Sequence, residues 1–287
     1  MAIGLPTGRL RPLGGSRGWI LPTALMILIA FLFLVPLYWL ALSSFRQADR
    51  IFADAGDFVP SSITLDNFTN LFSEAPFVRW FTNSVILSAG STIGSLVVVT
   101  MAAYPLARLR FRGRNAIFFS VIASYMLPFH LLLIPLFLLM IDLKLIDTHL
   151  GVIIPLWAHP FGLFFMRQYM LSIPQDLLDA ARVDGASQYA VFFRVVVPLV
   201  KPALATLAVL FALESWNDLL WPLIVMRSPE NLPLTLGIAS LLGGQFRPRW
   251  DLIMTSSLLA TVPVVLVFLW MRKRFLSGFA QIGTGGK

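Results

Sequence analysis

Six apolar runs separated by polar segments set the pattern of the chain: residues 19–42, 79–107, 116–141, 151–170, 203–226 and 251–271. A helix needs about 20 mainly apolar residues to cross the hydrocarbon of a bilayer, and each run is that long. Six transmembrane helices are therefore predicted. The first run follows a Gly-, Pro- and Arg-rich start at residues 1–17, which is predicted disordered. A secretory signal also pairs a basic start with an apolar run, but this run is too long for one and reads as a retained helix. Pro128 and Pro135 fall in the third run and Pro155 and Pro160 in the fourth, so both are expected to kink. In the second run Ser84, Ser88, Ser91 and Ser95 recur at helical spacing, and Gly90 and Gly94 form a small-xxx-small pair. Such residues let another helix approach closely, or they turn hydroxyls toward a polar path.

Between the fourth and fifth runs lies a segment, residues 172–198, that cannot cross a bilayer. Ser172 followed by Gln175 reads as a capping box, with Pro174 in the first turn. Leu177, Leu178 and Ala181 give the short helix an apolar side. Asp184-Gly185 is expected to end it, because Gly takes the left-handed conformation that stops a helix. Ser187 is placed to cap a second short helix through Phe193, with Pro198 limiting its extension. Two short amphipathic helices meeting at a glycine make a knuckle.

Composition points to the same class. Of 287 residues, 57% are hydrophobic and 13% charged, and the mean hydropathy is +0.80. A soluble domain carries about 25% charged residues. There is no cysteine, hence no disulfide framework or thiolate metal site, and three scattered histidines argue against a metal centre. A net charge of +8 is compatible with nucleic-acid binding, but its distribution is not. When the segments between runs are assigned alternately to two sides, 15 of the 22 basic residues fall on one side, including both chain ends and the knuckle. Nine of the 14 acids fall on the other. The positive-inside rule places the basic side, with both termini, in the cytoplasm. The charge is a topology signal, and no nucleic-acid partner is expected.

Within the knuckle, Asp179, Ala180, Ala181, Gly185, Val195, Val197 and Pro198 stand at the spacings of E-A-A, G, I and L-P in the EAA loop of binding-protein-dependent ABC importer permeases. The knuckle resembles that loop, with Asp for Glu and Val for Ile and Leu. Asp179 is one methylene shorter than the usual Glu. "AAYPLARLRFRGR", "MLPFHLLLIPLF" and "ESWNDLLWPL" are similar to further segments of the carbohydrate-uptake, maltose-permease type. The resemblance covers residues 19–287. It implies an all-α type I ABC importer permease fold, a permease domain over 18–272 with coupling loop 172–198, and a cytoplasmic tail at 273–287. It also implies that Asp179 to Pro198, with Asp184, docks onto a separate ATPase subunit. The implied partners are a second homologous permease, two ATPase subunits, an extracytoplasmic solute-binding protein and membrane lipid. ATP and Mg would be bound by the ATPases and no cofactor by this chain. The implied location is the plasma (inner) membrane. The implied substrate is a sugar or oligosaccharide, with another polar solute such as glycerol 3-phosphate or a polyol as the alternative. In such complexes the partner permease can hold most of the sugar.

The fifth run contains Glu214, Trp216, Asn217, Asp218 and Trp221. A carboxylate at a membrane helix centre costs about 2.5 kcal/mol or more, so these residues are expected to face protein or water. Glu214, Asn217 and Asp218 would share one face of a continuous helix. They either line or gate a translocation path or form a structural polar network. His130 reads as a packed histidine, His149 as exposed in a turn, and His159-Pro160 as a kink near the path. The sequence from Gly283 to Lys287 lacks the full phosphate-loop pattern, so no ATPase site is expected in this chain. An ion-coupled transporter could use Glu214 and Asp218, but the internal inverted repeat of many such folds is not visible. An intramembrane enzyme would need a catalytic constellation, and none is present.

Overall fold

A computed structural model describes residues 20–54, 56–59, 62–243 and 248–284, with side chains as far as Trp270. The expected tail at 1–17 and the last three residues lie outside the described residues. Among the described residues every regular element is helical. Three helices are long and apolar enough to cross a membrane unaided: α1 (Ile20–Ser44), α3 (Phe77–Arg108) and the first 21 residues of α14 (Trp250–Thr284). The short α2 (Asp66–Glu74) sits in the segment between the first two runs. The helix α14 itself continues to Thr284, past the end of its apolar part at Trp270.

The other three runs form bent pairs, each for a local reason. In the third, α4 (Arg114–Tyr125) and α5 (Phe129–Asp142) meet at 102°, far more than a kink. Pro128 supplies no N–H and holds an extended ψ of 133°, so the helix restarts after it. Pro135 stays inside α5 without breaking it. In the fourth, α6 (His149–Ile153) and a 3₁₀ turn at Pro155–Trp157 meet α7 (Pro160–Leu171) at 43°. His159 precedes a proline and is extended, with ψ 90°.

The fifth run departs most from expectation. It is not one helix over 203–226: α11 (Lys201–Asn217) stops, and α12 (Leu220–Val225) begins after a break at Asp218 and Leu219. Asp218 leaves helical geometry at ψ 124°, and its carboxylate accepts the N–H groups of Leu220 at 3.1 Å and Trp221 at 3.4 Å. It acts as an N-terminal cap of α12. α13 (Leu234–Ser240) then precedes α14.

α3 is the central rod, packed chiefly against α7 and α11. Its 32 residues give a length of about 48 Å. Ser84, Ser88, Ser91 and Ser95 are all buried, which favours packing over a polar path for this face. The Ser84 hydroxyl accepts the Leu234 N–H and that of Ser95 donates to the Leu156 carbonyl, both at 2.7 Å. Gly94 lies against the indole of Trp157; a Cβ there would fall 1.8 Å from Nε1. At its start α3 holds the 230–232 segment: Arg79 Nε donates to the Glu230 carbonyl, and Asn83 Nδ2 donates to those of Glu230 and Leu232.

Candidate functional site

The knuckle forms at the other end of α3. α8 (Gln175–Val183) buries Leu178 completely, in one core with Met170, Ile173, Val191 and Val196. The expected capping box does not form. The Ser172 hydroxyl donates back to the Tyr169 carbonyl, and Pro174 occupies the cap position without a side-chain bond. Gly185 ends α8 with φ +82°, as its place in the sequence predicts. The Ser187 hydroxyl then accepts the Ala190 N–H at 3.3 Å and starts α9 (Gln188–Val191).

This second helix does not stop at Phe193 or Pro198. It passes into a π-helical segment at Phe192–Val196 and then α10 (Val197–Leu199). Pro198 falls in the first turn of α10, where its missing N–H costs nothing. The direction changes only at Val200, where α10 and α11 meet at 71°.

The knuckle is fastened to α3 by side chains that the sequence marks only as charge or packing. Arg108 Nε donates to the Met170 carbonyl at 3.0 Å, and Nη2 donates to the carbonyls of Met170 and Ile173. Arg108 Nη1 donates to Gln175 Oε1 at 3.0 Å. Gln175 Nε2 in turn donates to Asp179 Oδ1 at 3.0 Å, which also accepts from Arg182 at 2.8 Å. Tyr104 donates its hydroxyl to Gln188 Oε1 at 3.0 Å and packs its ring on Phe192. Arg167 of α7 returns the contact, donating to the Leu106 carbonyl and lying 4.1 Å over the Phe118 ring. The outward side of the knuckle stays open: Leu177, Asp179, Ala180, Val183, Asp184, Gly185, Tyr189, Phe193 and Pro198 are exposed. Ala181, Val195 and Val197 are half-buried beneath it.

The five residues singled out in the fifth run separate into two groups. Glu214 and Asn217 are exposed near the end of α11. Glu214 Oε2 lies 2.9 Å from His159 Nε2, at the bend of the fourth run, with its side chain 61% exposed. The His159 ring packs on Phe211, and its Nδ1 is buried without a partner. Asn217 Nδ2 donates to the Leu213 carbonyl. Asp218 does not share their face, because it caps α12 and its carbonyl accepts from Thr235. Trp221 is fully buried with Nε1 on the Gly151 carbonyl, so it is packing rather than exposed lining. Trp216 is half-buried, bonded to the Ala260 carbonyl and set edge-on to Phe81.

The remaining histidines behave otherwise than expected. His130 is exposed, not packed. His149 is half-buried, with Nε2 3.2 Å from Asn83 Oδ1. Near it, Asp147 accepts the N–H groups of Arg227 and Ser228 at 3.0 Å and the Ser228 hydroxyl. Burial opposes ionisation of Asp147, but these hydrogen bonds outweigh it and hold the carboxyl well below the usual range.

Among the described residues the regular elements are all helical, the apolar spans carry a fastened knuckle, and α11 ends in exposed polar side chains. Residues 94–280 match the family model described as the binding-protein-dependent transport system inner membrane component, and the chain belongs to that family. It is 40% identical over 261 residues to the arabinooligosaccharides transport system permease protein AraQ of Halalkalibacterium halodurans, covering 90% of this chain and 93% of that protein. It is 31% identical over 255 residues to the lactose transport system permease protein LacG of Rhizobium radiobacter, covering 89% and 92%. The fold matches a chain in the crystal structure of a bacterial ABC transporter involved in the import of the acidic polysaccharide alginate. The TM-score is 0.78 at 25% identity, over 92% of this chain and 99% of that one.

Proposed function

We propose that this chain forms half of the membrane path of an ATP-driven importer for a sugar or oligosaccharide, and takes its drive through residues 174–198. The carrying observation is the knuckle. Its open side presents Asp179, Ala180 and Gly185, while Arg108 and Tyr104 tie its two helices to the longest span. A part that is fastened on one side and bare on the other suits a subunit that receives motion from a neighbour. The neighbour in this reading is one of two ATPase subunits on the cytoplasmic side, which bind ATP and Mg. A second homologous permease completes the path, an external solute-binding protein delivers the substrate, and both termini of this chain lie in the cytoplasm. The names of the relatives, arabinooligosaccharide and lactose systems, support a sugar or oligosaccharide. Glu214 and Asn217 are the proposed path-facing pair.

The test is uptake into liposomes holding the complete complex with its binding protein, measured against a panel of labelled sugars. Uptake that requires ATP and competes with one sugar class is expected. Uptake driven by an ion gradient without ATP would overturn the reading.

A further inference from the structure

The turn between α3 and α4 carries Arg108, Arg110, Arg112 and Arg114 within seven residues. Arg108 is used by the knuckle. The other three are not absorbed by it. All 14 acidic side chains of the protein fall among the described residues, and no ion pair joins one of them to Arg110, Arg112 or Arg114. Arg110 and Arg112 are exposed, and among the described residues Arg114 bonds to the Leu109 carbonyl, at 3.3 Å. Gly113, at φ +86°, turns the chain so that Arg110 and Arg114 border one hollow, with Arg112 exposed beside it. The hollow is about 470 Å³ and is lined by Arg110, Phe111, Gly113, Arg114 and Asn115. One turn beyond Arg114 on the same side of α4, Ile117 is exposed, whereas Phe119 is exposed on the opposite side of the helix.

We propose that Arg110, Arg112 and Arg114 form a docking surface for the phosphodiester headgroup of an anionic membrane lipid, with an acyl chain along Ile117. Three observations favour a lipid. The cations lie directly at the end of an apolar span, where basic clusters meet acidic headgroups. Guanidinium groups match phosphate oxygens two bonds at a time, which ammonium groups do not. The charged hollow adjoins exposed Ile117 one turn into the apolar span, the polarity sequence of a phospholipid itself. An acidic face of an ATPase subunit would match the charge but not Ile117. This surface rests on the topology proposed above, which sets it at the cytoplasmic leaflet.

The experiment places the complete complex in nanodiscs of phosphatidylcholine with or without phosphatidylglycerol and reads retained lipid by native mass spectrometry. ATP hydrolysis is followed in parallel. Wild type is expected to retain phosphatidylglycerol over phosphatidylcholine. The triple variant Arg110→Gln, Arg112→Gln, Arg114→Gln is expected to lose at least about tenfold of that preference, since each basic residue near an anionic surface contributes about fivefold. The triple Lys variant keeps every charge, and with it the orientation, yet is expected to lose part of the preference. Equal retention of both lipids by wild type, or undiminished preference in the Gln variant, overturns the proposal. So does loss of ATPase subunits from the Gln variant with lipid retention unchanged, which would assign the surface to protein. Displacement of lipid by millimolar inorganic phosphate would assign it to a soluble anion and also overturns it. The chain has no cysteine, so Asn115→Cys can be labelled from either side with an impermeant maleimide. Labelling from the outer face alone would reject the topology, independently of the lipid result.

Discussion

The Tyr104 hydroxyl on α3 donates to the side-chain carbonyl of Gln188, the first residue of the knuckle's second helix, at 3.0 Å. One turn further along α3, Arg108 holds the first helix through Gln175 and the chain before it through two carbonyls. Removing the guanidinium leaves the Met170 and Ile173 carbonyls without this donor, at about 1–3 kcal/mol. Arg108→Ala is expected to assemble but to hydrolyse ATP with much less uptake per turnover. Arg108→Lys should recover only part of the loss, because donors on one nitrogen lack the spread of the guanidinium fork that reaches the two carbonyls and Gln175. Unchanged uptake per ATP in Arg108→Ala would remove the arginine from coupling.

A methyl group added at Gly185 would meet nothing within 4 Å, so a side chain there is resisted by conformation and not by space. At φ +82° a β-branched residue costs about 1–3 kcal/mol. Gly185→Val should therefore uncouple hydrolysis from uptake, while Gly185→Asn, which accepts left-handed geometry, should stay close to wild type. Equal transport by the two variants would count against a conformational role for this turn.

Gly94 presents the opposite case, for its Cβ would collide with the Trp157 indole. Gly94→Ala is expected to lower stability by about 1–3 kcal/mol through overpacking of α3 on the fourth run. Thermal unfolding of the purified complex measures this. A shorter side chain at Trp157 should restore part of it.

Glu214 and Asn217 stand exposed on α11, and Glu214 pairs with His159. Replacing both Glu214 and Asn217 by Ala is expected to change uptake rate or sugar preference while leaving assembly intact. His159→Ala alone should reproduce part of that change if the imidazole orients the carboxylate. Normal uptake and preference in the double variant would exclude a path role.

The Asp147 carboxyl is held below its usual range by the hydrogen bonds of Ser228 and Arg227. A lowered carboxyl pKa stabilises fully above the unfolded value of about 3.9, and the contribution is lost as pH falls from there toward the folded value. Wild type should thus lose stability below about pH 4 more steeply than Asp147→Asn. Thermal melts from pH 6 to pH 3 compare the two, and parallel curves would dismiss this carboxylate as a source of acid sensitivity.

The apolar runs were legible because crossing a bilayer imposes a length that few other demands impose. Pro128 and Pro160 marked two of the bends, since the missing N–H and the constraint on the preceding residue act locally. The break at Asp218 is hidden behind the pattern of a polar helix face, because a cap and an i, i+4 partner look alike in sequence. Ser172 failed as a cap for a related reason: a serine hydroxyl also bonds back to a carbonyl three residues earlier, as it does to Tyr169. Pro198 failed as a stop because it falls in a first turn, after a π segment. The pairs Arg108–Gln175 and His159–Glu214 were out of reach, being 67 and 55 residues apart and joined only by the packing of separate helices.

α3 runs unbroken from the residues that grip the 230–232 segment to those that grip the knuckle. A stiff connecting rod bolted at both ends has no slack for relaying a signal in stages. Displacement of the knuckle should reach the opposite end of α3 within the same stroke, and the timing of events on the two faces of the membrane would be set by geometry instead of by a succession of intermediates.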